Sequence, residues 1–256
     1  MGLNLRELLS LLADPSGVRE ERDDSFFLLD ETPARGGGVL PRHAEQADVD
    51  IIKGLHSSMG VKQDALPETA KRFYELSVNA FDAFVHAWMS ELPLEAQMLK
   101  FGRKVVSSAD RKEAERAATD RGDADALAVL TASARVRHEI HRMFGLLRFF
   151  PGPKDAYTAF CSPDYFVLPA LGGHFTARFG KTPWNIIDAK RGLCLSRLPG
   201  EQAVMRDYDG VFSGNDDEWV ALWRRYHGTI NNECRKNLGL QRQFMPKRYW
   251  KFLPEM

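Results

Sequence analysis

The hydrophobic pattern of this chain changes period near residue 148, and that change restricts the folds open to it. Upstream, apolar residues recur every three or four positions, as on helices. After Pro67, the residues Phe73, Leu76, Ala80, Phe81, Phe84 and Trp88 keep this spacing, which predicts one amphipathic helix to about Ser90. Leu94 to Val106 predicts a second, and the strongly charged stretch 107–122 a short solvated helix or linker. The most regular run is Asp123 to Leu147, where Val136, Ile140, Met143 and Leu147 line one face. At about 100° per residue, Arg137, His138, His141 and Arg142 fall on a separate arc, which Arg148 joins if the helix extends that far.

Downstream, the apolar segments are short, partly alternating and separated by Pro, Gly and Asp. Tyr157–Cys161, Trp184–Asp188, Leu193–Arg197 and Ala203–Tyr208 are expected to be strands of a small antiparallel sheet. Tyr165–Phe179 lies among them as a helix with Phe166, Leu168, Leu171, Phe175 and Phe179 mostly inward. Asp216 or Asp217 caps a further helix whose core face is Trp219, Leu222, Trp223, Tyr226 and Ile230. The expected class is α+β: a helical N-terminal part packed on a small antiparallel sheet with flanking helices. Residues 67–256 form that domain, helical over 67–147 and mixed over 148–256. Residues 1–66 form a variable, partly irregular segment. It opens with a short amphipathic helix in MGLNLRELLSLLADPS. Residues 14–50, with the triple glycine Gly36, Gly37 and Gly38, are expected to be irregular or extended, with one strand at Phe26–Leu29.

With 44% hydrophobic residues in 256, the chain has enough apolar surface for a real core. No run approaches the roughly 18 apolar residues of a membrane helix. The N-terminus has Glu7 early and no small-residue cleavage site, so no membrane contact and a cytoplasmic location are expected. Cys161, Cys194 and Cys234 are odd in number and widely spaced, which favours reduced thiols. Net charge is zero but unevenly spread. Residues 1–135 hold 17 Lys and Arg against 23 Asp and Glu, and residues 136–256 hold 18 against 12. That split suits either a polyanion-facing second half or attraction between the halves or to a partner.

Several constellations carry possible chemistry. His138 and His141 stand three apart, so both reach one ion or one phosphate, but a zinc site needs further ligands. No cofactor is called for by the sequence. His174 and Arg178 share a helix face, where Arg178 either grips a phosphate through two parallel hydrogen bonds or pairs with Asp164 or Asp188. Asp188 ends a strand before Lys190 and Arg191 and is either a general base or metal ligand, or a turn residue bonded to its own backbone. Gly180-Lys181-Thr182 fails as a phosphate loop, because Phe175 replaces the required glycine and Pro183 interrupts the following helix. Lys247, Arg248, Tyr249, Trp250 and Lys251 interleave cations with rings, as a single-strand stacking platform does and as a tail with buried rings also does.

These segments together resemble a bacterial family of unknown function. The likeness is carried by RVRHEIHRMFGLLRF (135–149), PDYFVLP (163–169), HFxxRF (174–179), PWNIID (183–188), LWRRYH (222–227) and MPKRYWKFLPE (245–255). It spans about residues 70–256 and is dense from 135. The family occurs beside a radical-SAM protein similar to spore photoproduct lyase and fused to uracil-DNA-glycosylase-like domains. The resemblance implies a role in DNA metabolism or repair and brings no catalytic residues with it. The chain lacks the three-cysteine cluster of a radical-SAM enzyme, so it would be that enzyme's companion. One expectation is an accessory protein binding single-stranded or damaged DNA, with Arg142, Arg148, Arg178, Arg191, Lys247 and Arg248 on phosphates and Tyr249 or Trp250 on a base. A second is an enzyme in which His138, His141, His174 and Asp188 converge on a metal or a substrate phosphate. A third is a non-catalytic scaffold for the radical-SAM or glycosylase partner.

Overall fold

The computed structural model describes residues 3–13, 44–57, 60–152, 156–208, 210, 221, 224–225, 228–229 and 237–253. Helix α1 (Leu5–Ser10) begins at Asn4, whose side chain accepts from Glu7 N (2.7 Å) while the Glu7 carboxylate accepts from Asn4 N (2.9 Å). A short 3-10 turn, Leu11–Ala13, follows. Helix α2 (Gln46–Leu55) was expected to begin in irregular chain. Its start is set by Asp48, fully buried, which accepts from Glu45 N and from Arg6 N, both at 2.9 Å. A carboxylate on the inward face hides this helix from an apolar-periodicity reading, and the contact that stabilises it comes from α1.

The helix expected from Pro67 to Ser90 is two helices, α3 (Glu68–Leu76) and α4 (Val78–Met89). The break is Ser77, extended at φ −154°, ψ 105°. Its hydroxyl accepts from Ala80 N (3.0 Å) as an N-cap and donates to Glu115 (2.6 Å). The break lets Phe73 meet Phe81 and Phe84 edge to face, with ring centres 5.6 and 5.5 Å apart. Helix α5 (Glu95–Val106) lies close to its expected bounds, and the charged stretch contains α6 (Arg111–Thr119). Helix α7 (Ala124–Leu146) is capped by Asp123, which accepts from Asp125 N and Ala126 N. Its buried face includes Val129, Ala132, Val136, Ile140 and Met143, and it packs on α4 and α5.

The sheet has five strands in spatial order β1 to β5: Phe149–Pro151, Tyr157–Cys161, Trp184–Asp188, Leu193–Arg197 and Val204–Asp207. Three neighbouring pairs are antiparallel, as expected. The pair β2–β3 is parallel, with Tyr157 opposite Trp184 and Cys161 opposite Asp188. The reason is the crossover between them, which carries α8 (Leu168–Phe179). Strand β1 was not anticipated; with three residues and Pro151 it is too short to show alternation, and it sits at an edge. Gly173 on α8 admits the carbonyl of His56, which a Cβ would meet at 2.4 Å, so the end of α2 rests directly on α8. Helix α9 (Leu238–Phe244) and a 3-10 turn, Lys247–Phe252, complete the described chain. Leu5, Leu9 and Ile52 share one core with Phe84, Val136, Phe175 and Trp184. No helix among the described residues is long and apolar enough to cross a membrane. The expected strand Phe26–Leu29, the triple glycine, Cys234 and the helix face Trp219, Leu222, Trp223, Tyr226 and Ile230 lie outside the described residues.

Candidate nucleic-acid interface

Along its outer side, helix α7 turns Leu127, Leu130, Thr131, Ala134, Arg135, His138 and Arg142 toward one open cleft of about 630 Å3. Arg121 lines it from the turn between α6 and α7, Asp164 and Tyr165 from the loop ahead of α8, and Arg248 from the C-terminal 3-10 turn. Four guanidiniums and an imidazole therefore face two carboxylates, Glu139 and Asp164. Both carboxylates are engaged. Glu139, 2% exposed, accepts from Asp164 N (3.0 Å), Tyr165 N (2.8 Å) and the Tyr249 hydroxyl, and Arg248 lies 3.5 Å away. Asp164 is 2.7 Å from Arg248. Burial pushes the Tyr249 phenol far above its usual range, and the Glu139 charge adds to this, so the phenol stays a donor. Arg121, Arg135 and Arg142 make no ion pair with the described residues. Arg142 reaches only the Gln243 carbonyl (3.4 Å), and its Nε is buried without a partner among the described residues.

The wall of this cleft is held from behind by Arg191. Its side chain is 2% exposed and all five N–H donors are taken. Nε meets Glu91 (3.2 Å), Nη1 meets Asp188 (2.8 Å) and the Pro163 carbonyl (3.1 Å), and Nη2 meets Glu91 and the Asp164 carbonyl (2.8 Å). Burial opposes the guanidinium charge, but Glu91 and Asp188 outweigh it and raise its proton affinity. Asp188, fully buried, also accepts from Lys190 N and Arg191 N. The carboxylate at the strand end is thus bonded to its own turn and to Arg191, and Arg191 has no N–H left for a phosphate. Lys190 Nζ adds a bond to the Asp164 carbonyl (2.8 Å).

The other sequence-derived residues are dispersed. His138 lines the cleft, whereas His141, exposed on α7, is not among its lining residues. His174 is stacked on Phe144 (ring centres 4.2 Å, planes 22° apart) and Arg178 is exposed on the same helix. Burial and the nearby Arg178 charge lower the His174 pKa. Arg148 donates to the Gly145 carbonyl (2.8 Å), Lys247 is exposed, and Trp250 is half-buried with its Nε1–H on the Met245 carbonyl (2.8 Å). Tyr249 is 2% exposed and presents no free ring face for a base. Among the described residues no three His, Cys, Asp or Glu side chains converge as metal ligands.

One buried constellation was not read from the sequence. On α4, His86 is 1% exposed, and its Nδ1–H donates to the Asp82 carbonyl (2.7 Å), with the Asp82 carboxylate at 3.3 Å. Its Nε2 faces His56 Nε2 at 3.1 Å, and Arg137 reaches Asp82 from α7 at 3.5 Å. A carbonyl only accepts, so with His86 neutral the His86 Nε2 is the acceptor and His56 the donor. Asp82 and His86 at i and i+4 were a legible hint; the approach of His56 was not. Burial first, then the His86 and Arg137 charges, lower the His56 pKa from 6.5 to about 4, against the pull of Asp82. The unfolded chain therefore takes up a proton near pH 6.5 that the folded chain refuses until about pH 4. Urea titrations should show stability, full above pH 6.5, falling by about 2–3 kcal/mol on acidification through this window. His56→Gln should flatten that dependence; an unchanged slope would refute the assignment.

Comparison with known proteins adds one result: the model of a domain-of-unknown-function family, DUF4130, matches residues 98–255. No protein with a curated description and no solved structure matches the chain. The matched span is more than half of the 256 residues and contains α7, the sheet, every cleft residue and Arg191 with Asp188, Pro163 and Asp164, while Glu91 lies before it. Asp82, His86 and His56 lie before it. This chain belongs to the DUF4130 family of unknown function, and its candidate site lies wholly inside the family domain.

Proposed function

We propose that the protein is an accessory factor of DNA metabolism that binds the phosphate backbone of single-stranded or damaged DNA in the α7 cleft. The observation that carries this reading is the gathering of Arg121, Arg135, Arg142, Arg248 and His138 around one opening whose two carboxylates are already bonded to the protein. Guanidinium groups bind phosphate oxygens through paired hydrogen bonds, and Arg121 and Arg135, both exposed at the opening, make no ion pair with the described residues. Lys247 and Arg178 are exposed cations outside this opening. The family resemblance in the sequence supports the DNA context and a radical-SAM or glycosylase-like protein as the partner enzyme.

Binding of a labelled oligothymidylate, followed by fluorescence anisotropy over a salt series, tests this. Four phosphate contacts give a slope of log affinity against log salt of about −3. Replacing Arg135 and Arg142 together by alanine should lower its magnitude by about 1.4 and weaken binding about 20-fold at roughly 0.1 M salt. Salt-independent binding, or none, would end the proposal.

A further inference from the structure

We infer that Tyr165 is the base-stacking platform of the cleft, so that the site takes an unpaired nucleobase and selects single strands over duplex; this rests on the phosphate-binding reading above. The cleft has two chemically distinct sides. Cations come from Arg121, Arg135, Arg142 and Arg248, whereas Leu127, Leu130 and Ala134 supply apolar surface to the same opening that Tyr165 lines. Leu127 is 45% exposed, an apolar side chain left open to solvent at this opening. A phosphate backbone alone has no use for such a surface; an unstacked base does.

Tyr165 is also held firmly through its backbone. Its N–H donates to buried Glu139 (2.8 Å). The carbonyls of Pro163 and Asp164 before it are held by Arg191. Phe166 after it donates its N–H to the Met89 carbonyl (2.9 Å) and packs edge to face on Trp88. The ring itself stays half-buried and lines the opening. An aromatic whose backbone is fixed on both sides loses little freedom when a base settles on it. Arg135 stands near enough to act on the Tyr165 phenol electrostatically, so a guanidinium and a ring are available to one nucleotide. The volume of about 630 Å3 falls in the range of pockets that enclose a small organic molecule. A paired base keeps its π faces inside the stack and cannot use this surface.

The test compares the full chain with Tyr165→Phe and Tyr165→Leu, using a single strand carrying 2-aminopurine and a duplex of the same length. Phenylalanine keeps a π face; leucine keeps apolar volume without one. The wild type should bind the single strand about tenfold more tightly than the duplex and quench the 2-aminopurine. Tyr165→Phe should behave as wild type. Tyr165→Leu should lose about tenfold for the single strand and lose the quenching, with duplex affinity, salt slope and thermal midpoint unchanged. Single-strand binding and quenching retained by Tyr165→Leu, or equal wild-type affinity for duplex, would overturn this inference and leave the phosphate reading standing. No binding of either oligonucleotide by the wild type would remove the phosphate reading and this inference with it.

Discussion

Replacing Arg191 by methionine should lower the free energy of unfolding by about 3–5 kcal/mol, the cost of stranding buried charge. The guanidinium joins four otherwise separate groups: Glu91 on the α4–α5 turn, Asp188 at the end of β3, and the carbonyls of Pro163 and Asp164. Without it, Asp188 has no counter-charge in a site closed to water, the Pro163 carbonyl loses its guanidinium donor, and the Asp164 carbonyl keeps only Lys190 among the described residues. Glu91 reports the same constraint from the other side. Among the described residues it is the sole non-glycine at positive φ (58°), a conformation costing about 1–2 kcal/mol that persists because its carboxylate is tied to Arg191. Arg191→Lys should recover little, since an ammonium cannot span this fork of acceptors. Combining Arg191→Met with Asp188→Asn should recover part of the loss by removing the stranded charge. Urea unfolding measures each; a change under about 1 kcal/mol for Arg191→Met would contradict the hub.

Glu139→Gln should cost about 3 kcal/mol and weaken nucleic-acid binding at the same time. The carboxylate accepts from two adjacent backbone N–H groups and a phenol and shares Arg248 with Asp164. The glutamine amide has one acceptor oxygen and one donor nitrogen, so its NH2 must oppose a donor, and Arg248 is left with Asp164 as its one carboxylate among the described residues. Tyr249→Phe alone removes a single partner and should cost about 1–2 kcal/mol. The two changes share one network, so the double variant should be less destabilised than the sum. Full additivity in chemical denaturation would show that the Glu139–Tyr249 contact is energetically empty. The effect on binding arises because Glu139 fixes the loop that carries Tyr165, while Tyr249 places Arg248 at the cleft.

Much of the local structure was legible before any contact was known. Strands β2, β3 and β4 fall at the residues where short alternating segments meet turn chemistry, and α7 starts beside Asp123, whose carboxylate caps it. The cationic arc on α7 was legible too, through Arg142 and His138, because helix period alone assigns residues to faces. A carboxylate on the buried face of that helix, Glu139 between Val136 and Met143, was a visible signal of an internal polar site that periodicity passed over. The break at Ser77 and the helix begun by Asp48 depended on partners, Glu115 and the Arg6 amide, 38 and 42 residues away.

The site follows the same division. Sequence placed cations and rings near one another along the chain; tertiary structure decided which of them are free. Arg191 looks like a phosphate ligand until Glu91, 100 residues earlier, is brought against it. Tyr249 looks like a stacking ring until Glu139, 110 residues earlier, receives its hydroxyl. Tyr165 carries no role in the sequence, standing at the start of an expected helix, until the loop ahead of α8 turns it into the cleft. Propensity, capping and hydrophobic period act within a few residues, so a chain displays them one segment at a time. Charge pairing and burial act between surfaces that meet only when the chain closes, and there the same arginine becomes either an internal clamp or an open hand for phosphate.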